Sequence, residues 1–109
     1  MKIKHILAPT DVPVERLDYN GEETTYITFF EFNQYPALNA DDKEVETAHS
    51  VQIDIFSQGN YEALVKQTRN LMEAAGARRT FEAEEFEKET GYFHKVLRFS
   101  YSSHKGEEE

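Results

Sequence analysis

Between Asn60 and Gly76 apolar residues recur at Tyr61, Leu64, Val65, Thr68, Leu71, Met72 and Ala75, the i, i+3, i+4, i+7 spacing of a helix with one buried stripe. Asn60 is placed to cap its start, Glu62 puts a carboxylate in the first turn, and Gly76 closes it as a C′ residue. The chain must therefore supply an apolar surface to receive this stripe. The segments on either side supply it in the form of strands. Val51, Ile53 and Ile55 alternate with Gln52 and Asp54 within residues 49–56, the period-two signature of a half-buried strand that can begin as early as Val45.

Upstream, Tyr26-Ile27-Thr28-Phe29-Phe30-Glu31-Phe32 is dense in β-branched and aromatic residues and follows the turn dipeptide Asn20-Gly21, which predicts a strand entered from a hairpin-like turn. Residues 11–19 can be extended, but Pro13 restricts them to an edge or an irregular segment. Downstream of the helix, residues 77–86 read as extended and charged. After Thr90-Gly91, Phe93, Leu97, Phe99 and Tyr101 share one face of a long final strand whose exception is Lys95. Residues 33–42 lose periodicity around Pro36 and Asn39 and read as a loop. Residues 102–109 end in three glutamates and read as a disordered acidic tail.

The expected fold is α+β in ββαββ order: one antiparallel four-stranded sheet packed on a single amphipathic helix at about residues 60–76. A short N-terminal strand or helix can precede it, because Ile3, Ile6 and Leu7 have helical spacing. At 109 residues the chain is expected to form one domain over 1–109. One helix covers only part of four strands, so some apolar sheet is left for a partner or a subunit interface.

Charge narrows the partners. Twenty-one acidic residues against twelve basic ones give a net charge of −9, and the basic residues are scattered, which disfavours gripping phosphate. No specific nucleic-acid binding is expected. The mean hydropathy of −0.72 and the lack of any stretch near twenty apolar residues exclude a helical membrane span, and the N-terminus is too short in apolar residues for a signal-peptide core. There is no cysteine, which removes thiolate nucleophiles and zinc-thiolate sites.

The histidines available for acid-base or metal chemistry are His5, His49, His94 and His104. His49 and His94 fall near strands that can be neighbours, yet no H-x-x-x-H, H-E-x-x-H or Asp-rich signature accompanies them. A sheet histidine paired with a carboxylate is the simpler reading for His94. The glycines are isolated, so no phosphate loop forms. Tyr26, Phe29, Phe30 and Phe32 lack the interleaved Lys and Arg of a base-stacking sheet. Neither a catalytic residue, a cofactor nor a metal is called for. An enzyme remains a third alternative, provided a closed pocket is lined by residues such as His94, Tyr92 or Tyr26.

Several segments taken together carry a resemblance. They are Asp11-Val12-Pro13-Val14, Thr25-Tyr26-Ile27-Thr28-Phe29, Ser50-Val51-Gln52-Ile53-Asp54-Ile55-Phe56-Ser57, Tyr61-Glu62-Ala63-Leu64-Val65, Met72-Glu73-Ala74-Ala75-Gly76, and Thr90-Gly91-Tyr92-Phe93-His94-Lys95-Val96-Leu97-Arg98-Phe99. In this order and spacing they resemble the tail completion, or tail terminator, proteins of long-tailed bacteriophages and prophages. That resemblance implies a non-enzymatic α+β subunit that assembles with itself into a ring, typically a hexamer. The ring would cap the tail tube and meet the head connector, in the host bacterial cytoplasm during assembly and then in the virion tail. Members of this group commonly begin with a full helix, for which only residues 1–8 are present here. The alternative is a neck or baseplate adaptor, or an accessory interaction protein, without ring formation. In either case the expected contact surface comprises Tyr35, Pro36, Leu38, Asp41 and Asp42 in the loop and Glu82, Glu84, Glu85 and Glu87 in the acidic arm.

Overall fold

The computed structural model describes residues 1–40 and 43–104. In chain order it contains α1 (Ile3–Ile6), a 3-10 turn (Ala8–Thr10), β1 (Val14–Arg16), β2 (Tyr26–Ala40), β3 (Lys43–Ser57), α2 (Glu62–Ala74), β4 (Arg78–Glu87) and β5 (Tyr92–His104). The strands form one five-stranded sheet in the order β1-β2-β3-β5-β4. β1 lies parallel to β2, and the other neighbours are antiparallel.

The sheet is thus mixed and five-stranded, which corrects the expectation of four antiparallel strands on a single helix. The fifth strand, left open in the sequence as an edge or an irregular segment, is the one next to Pro13. Its carbonyl accepts the Ile27 amide at 2.8 Å, after which Val14 turns into the core at 5% exposure. Three residues suffice because Leu17, at φ 70°, takes the chain out of the strand after its amide bonds the Phe29 carbonyl at 2.8 Å. The connection 17–25 therefore joins parallel strands, and Asn20-Gly21 does not form a hairpin turn.

A second correction concerns residues 33–42. β2 continues as strand to Ala40 and β3 begins at Lys43, so this stretch is the far half of a long hairpin rather than a loop; Asp41 and Asp42 lie outside the described residues. Pro36 is tolerated because β2 is an outer strand here, where its missing N–H removes no ladder bond. Register shifts between Glu31 and Asn33, Pro36 and Leu38, and Leu38 and Asn39 absorb the irregular sequence. β5 likewise pairs with β3 as far as His104 opposite Glu46, so residues 102–104 are strand, and 105–109 lie outside the described residues.

α2 follows its sequence closely except at its start, where Tyr61 and not Asn60 is the cap residue; Asn60, one position earlier, accepts the Glu62 amide on Oδ1 at 3.0 Å. Val65, Thr68 and Met72 are buried, and Gly76 at φ 99° closes the helix while the Ala77 amide reaches back to the Met72 carbonyl at 3.1 Å. The helix packs over Ile27, Ile53, Ile55, Leu97 and Phe99, each at 8% exposure or less. Ile3 and Leu7, at 1% and 0% exposure, complete this core from α1. The first helix is a single turn plus the 3-10 turn, and it covers the corner of the sheet that α2 does not reach. No described helix is long and apolar enough to cross a membrane.

Candidate interaction surfaces

The strand register sorts the side chains into two faces. On the helix-bearing face β3 presents His49, Val51, Ile53 and Ile55, and β5 presents Lys95, Leu97, Phe99 and Tyr101 opposite them. On the helix-free face the same strands present Gln52, Asp54 and Phe56 opposite Arg98, Val96 and His94. His49 and His94 therefore face opposite sides of the sheet, and no shared histidine site exists.

The helix-free face is held by rings and one polar chain. Phe56 stacks on its cross-strand partners, His94 at 4.2 Å and Tyr26 at 4.9 Å between centroids, and Tyr26 meets Tyr19 at 4.6 Å and Tyr92 at 6.3 Å. Burial, followed by the nearby Tyr92, Asp18 and Glu87, pushes the Tyr26 phenol above its usual pKa. His94 Nε2 donates to Asp54 Oδ1 at 2.7 Å, as expected for a sheet histidine with a carboxylate partner. Asp54, 6% exposed, also accepts from Gln52 Nε2 at 2.9 Å. Gln52 in turn accepts from Arg98 Nε at 3.0 Å. The Arg98 guanidinium lies between the Phe32 and Phe81 rings, 5.0 and 4.9 Å from their centroids, an arrangement that orients a cation by the ring faces. Tyr26, Tyr92 and His94 do come together, but as stacked rings on an open sheet rather than as the walls of an enclosed pocket.

A concavity of about 570 Å³ lies on the other face, between the start of α1 and the hairpin of β2 and β3. Lys2, Lys4 and Arg16 line one side of this cleft, Phe29, Val51 and Tyr101 its floor, and Glu31, Gln34 and His49 its far side. His49 is 7% exposed and spans three strands: its Nδ1 bonds Glu31 Oε1 at 2.8 Å, its Nε2 bonds Ser103 Oγ at 2.8 Å, and its ring stacks on Tyr101 at 4.7 Å. Neither this cleft nor the Arg98 sandwich was visible in the sequence, because both depend on pairings between residues 17 to 66 positions apart.

The anticipated contact residues separate into distinct groups. Tyr35 is 51% exposed and Pro36 is exposed beside it on the outer strand, whereas Leu38 is placed only through its backbone pairing with Glu46. Glu82 faces α2 and bonds Arg69 Nη2 at 2.9 Å, Lys95 Nζ at 3.0 Å and Arg79. Burial alone would raise its pKa, but the bonds from Lys95 and Arg69 outweigh burial and hold it below the ordinary carboxylate range. Glu84 accepts the Tyr61 hydroxyl at 2.7 Å; burial first, and then this carboxylate, push the phenol up. Glu85 and Glu87 are exposed on the opposite face of β4, and Glu87 accepts the Thr90 hydroxyl at 3.1 Å. The acidic strand is thus half brace and half free surface.

Among solved structures the fold has a counterpart. The chain is similar to one in the virion of a native gene transfer agent (GTA) particle, with a TM-score of 0.58 and 16% identity, covering 90% of this chain and 84% of that one. At that identity the likeness is one of fold. Its coverage means that the sheet as a whole is shared, rather than a single hairpin or helix. No family model and no curated protein matches the chain.

Proposed function

We propose that the chain is a non-enzymatic structural protein of a phage-like virion, a tail completion subunit that forms a ring, caps the tail tube and meets the head connector. The observation that carries this reading is the fold shared over 90% of the chain with a GTA virion chain. The segment order that resembles tail terminators supports it further. An elongated body of 54 × 24 × 23 Å with two exposed sheet margins suits assembly by shape and charge. Its histidines suit the same role, since His49 and His94 both brace neighbouring strands. In this role the protein acts in the host bacterial cytoplasm during assembly and remains in the virion tail.

The test is co-assembly. With the tail tube protein of the same particle, the chain is expected to yield tubes of limited length with a ring at one end in negative-stain images. Tubes of unlimited length with bare ends sink the terminator role in favour of an adaptor. At a net charge of −9 the ring lumen should let DNA pass by repulsion rather than hold it, so the isolated protein is expected to give no gel shift with duplex DNA at moderate salt. A salt-sensitive shift would count against the reading.

A further inference from the structure

The two margins of the sheet differ in charge. One margin is β4, whose exposed residues toward its end are Glu84, Glu85, Phe86 and Glu87, with Phe86 53% exposed. The other margin is β2, which β1 covers only from Ile27 to Phe29. Beyond that point, among the described residues, no strand lies outside β2. Along this open length Glu31 is already engaged by His49, and Phe32, Asn33, Gln34 and Tyr35 carry no charge. Cations flank it on the helix side, where Lys2 and Arg16 line the cleft; on the other face Arg98, carried by β5 beside β4, reaches across to Phe32.

An open strand edge is a template for pairing, and natural sheets guard it with charge. β4 is guarded against another β4, because such a pair would set carboxylates against carboxylates. The open length of β2 is interrupted by the bulge between Glu31 and Asn33 and ends at Pro36, which has no amide to donate, but it sets no like charge against β4. We propose that the acidic β4 edge of one copy pairs with the open β2 edge, residues 30–35, of the next copy, head to tail. Glu84 then approaches Lys2 and Arg16, and Glu85 and Glu87 approach the Arg98 side.

Strand direction agrees with this. β2 is antiparallel to β3, β3 to β5 and β5 to β4, so β4 runs opposite to β2, and copies that keep their strand direction meet in antiparallel fashion, the better-bonded arrangement. A contact between two different patches generates a closed ring when its rotation closes. The inference rests on the proposed ring and names the edges that make it.

The absence of cysteine makes crosslinking unambiguous. Two double variants are oxidised at high protein concentration: Asn33→Cys with Glu85→Cys, on the helix-free face, and Gln34→Cys with Phe86→Cys, on the helix side. Within one copy β2 and β4 are three strand spacings apart, roughly 14 Å, too far for a disulfide that needs Cα atoms within about 7 Å. The expected result is a ladder of linked species from at least one double variant, reversed by reductant, with each single variant remaining monomeric on a denaturing gel.

A charge exchange tests the same contact without cysteines. Lys2→Glu/Arg16→Glu and Glu84→Lys, which the proposed contact sets against each other, should each lose self-association in sedimentation velocity and regain it when mixed. Linked dimers from the single variants would show like edges meeting and overturn the proposal. So would the lack of any ladder, or charge variants that associate as the unaltered chain does. Capped tubes without a ladder would leave the tail-completion reading standing and remove only this contact; a ladder without any effect on tube length would do the reverse.

Discussion

Ile53 and Leu97 face each other across β3 and β5 at zero exposure beneath α2, while one residue along each strand Asp54 and Val96 face each other on the side that no helix covers. The first side closes by excluding water from aliphatic and aromatic carbon, with Val51, Ile55 and Phe99 also at 0%. The second closes by stacking rings and by joining His94, Asp54, Gln52 and Arg98 in one chain of hydrogen bonds. The same four long strands thus hold together by area on one face and by directed contacts on the other. A face closed by directed contacts keeps polar groups and ring edges available at its surface, as Phe32 and Phe81, each 45% exposed around Arg98, illustrate.

The largest test of this contrast removes one ring from each side. Phe99→Ala should destabilise the fold by about 3–5 kcal/mol, the usual range for a buried phenylalanine. Phe56→Ala, from a half-buried ring that stacks on Tyr26 and His94, should cost about half as much, since less area returns to water and the site can relax. Denaturant midpoints at constant m-value measure both. Equal losses would mean that the helix-free face is as much a core as the other.

Next in size is Asp54→Ala. The carboxylate is 6% exposed and accepts from both His94 and Gln52, so its removal strands two donors and should cost about 2–3 kcal/mol. Asp54→Asn keeps an acceptor for His94 and should cost less. If Asp54→Ala is neutral, the polar chain is incidental and ring stacking alone holds that face.

How much of this could be read from the sequence follows the range of the interactions. α2 was legible because its stripe, its Asn60 start and its Gly76 stop all lie within one window, and the alternation of residues 49–56 and 92–101 placed the buried faces of β3 and β5, including the exception at Lys95. β1 was left open, as an edge or an irregular segment, because three residues after a proline have no periodicity of their own; what makes them a strand is the Ile27 amide, thirteen positions beyond Val14. The far half of β2 was misread because Pro36 and Asn39 are breakers only where a strand has neighbours on both sides. The four glutamates of the acidic arm were all expected at a contact surface, since alternation shows that β4 has two faces but not that Arg69 and Tyr61 await Glu82 and Glu84 on one of them.

That last division yields the smallest and most discriminating test. Glu82 and Glu85 stand on one strand, with the same charge, on opposite faces. Glu82 gathers Arg69, Lys95 and Arg79, and Glu82→Gln should cost about 1 kcal/mol by leaving three cations without their shared anion. Glu85→Gln, from an exposed position, should stay within about 0.5 kcal/mol of the unaltered chain. The pH dependence separates them further. Because the folded state holds the Glu82 carboxyl below its ordinary value, its contribution is complete above the unfolded-state pKa and declines as pH falls through the lower folded-state value. Denaturation of the unaltered chain and of Glu82→Gln should therefore differ at neutral pH and converge on acidification, with Glu85→Gln following the unaltered chain throughout. Glu82→Gln curves that stay parallel to those of the unaltered chain down to low pH would show that the cluster does not depend on the charge of Glu82.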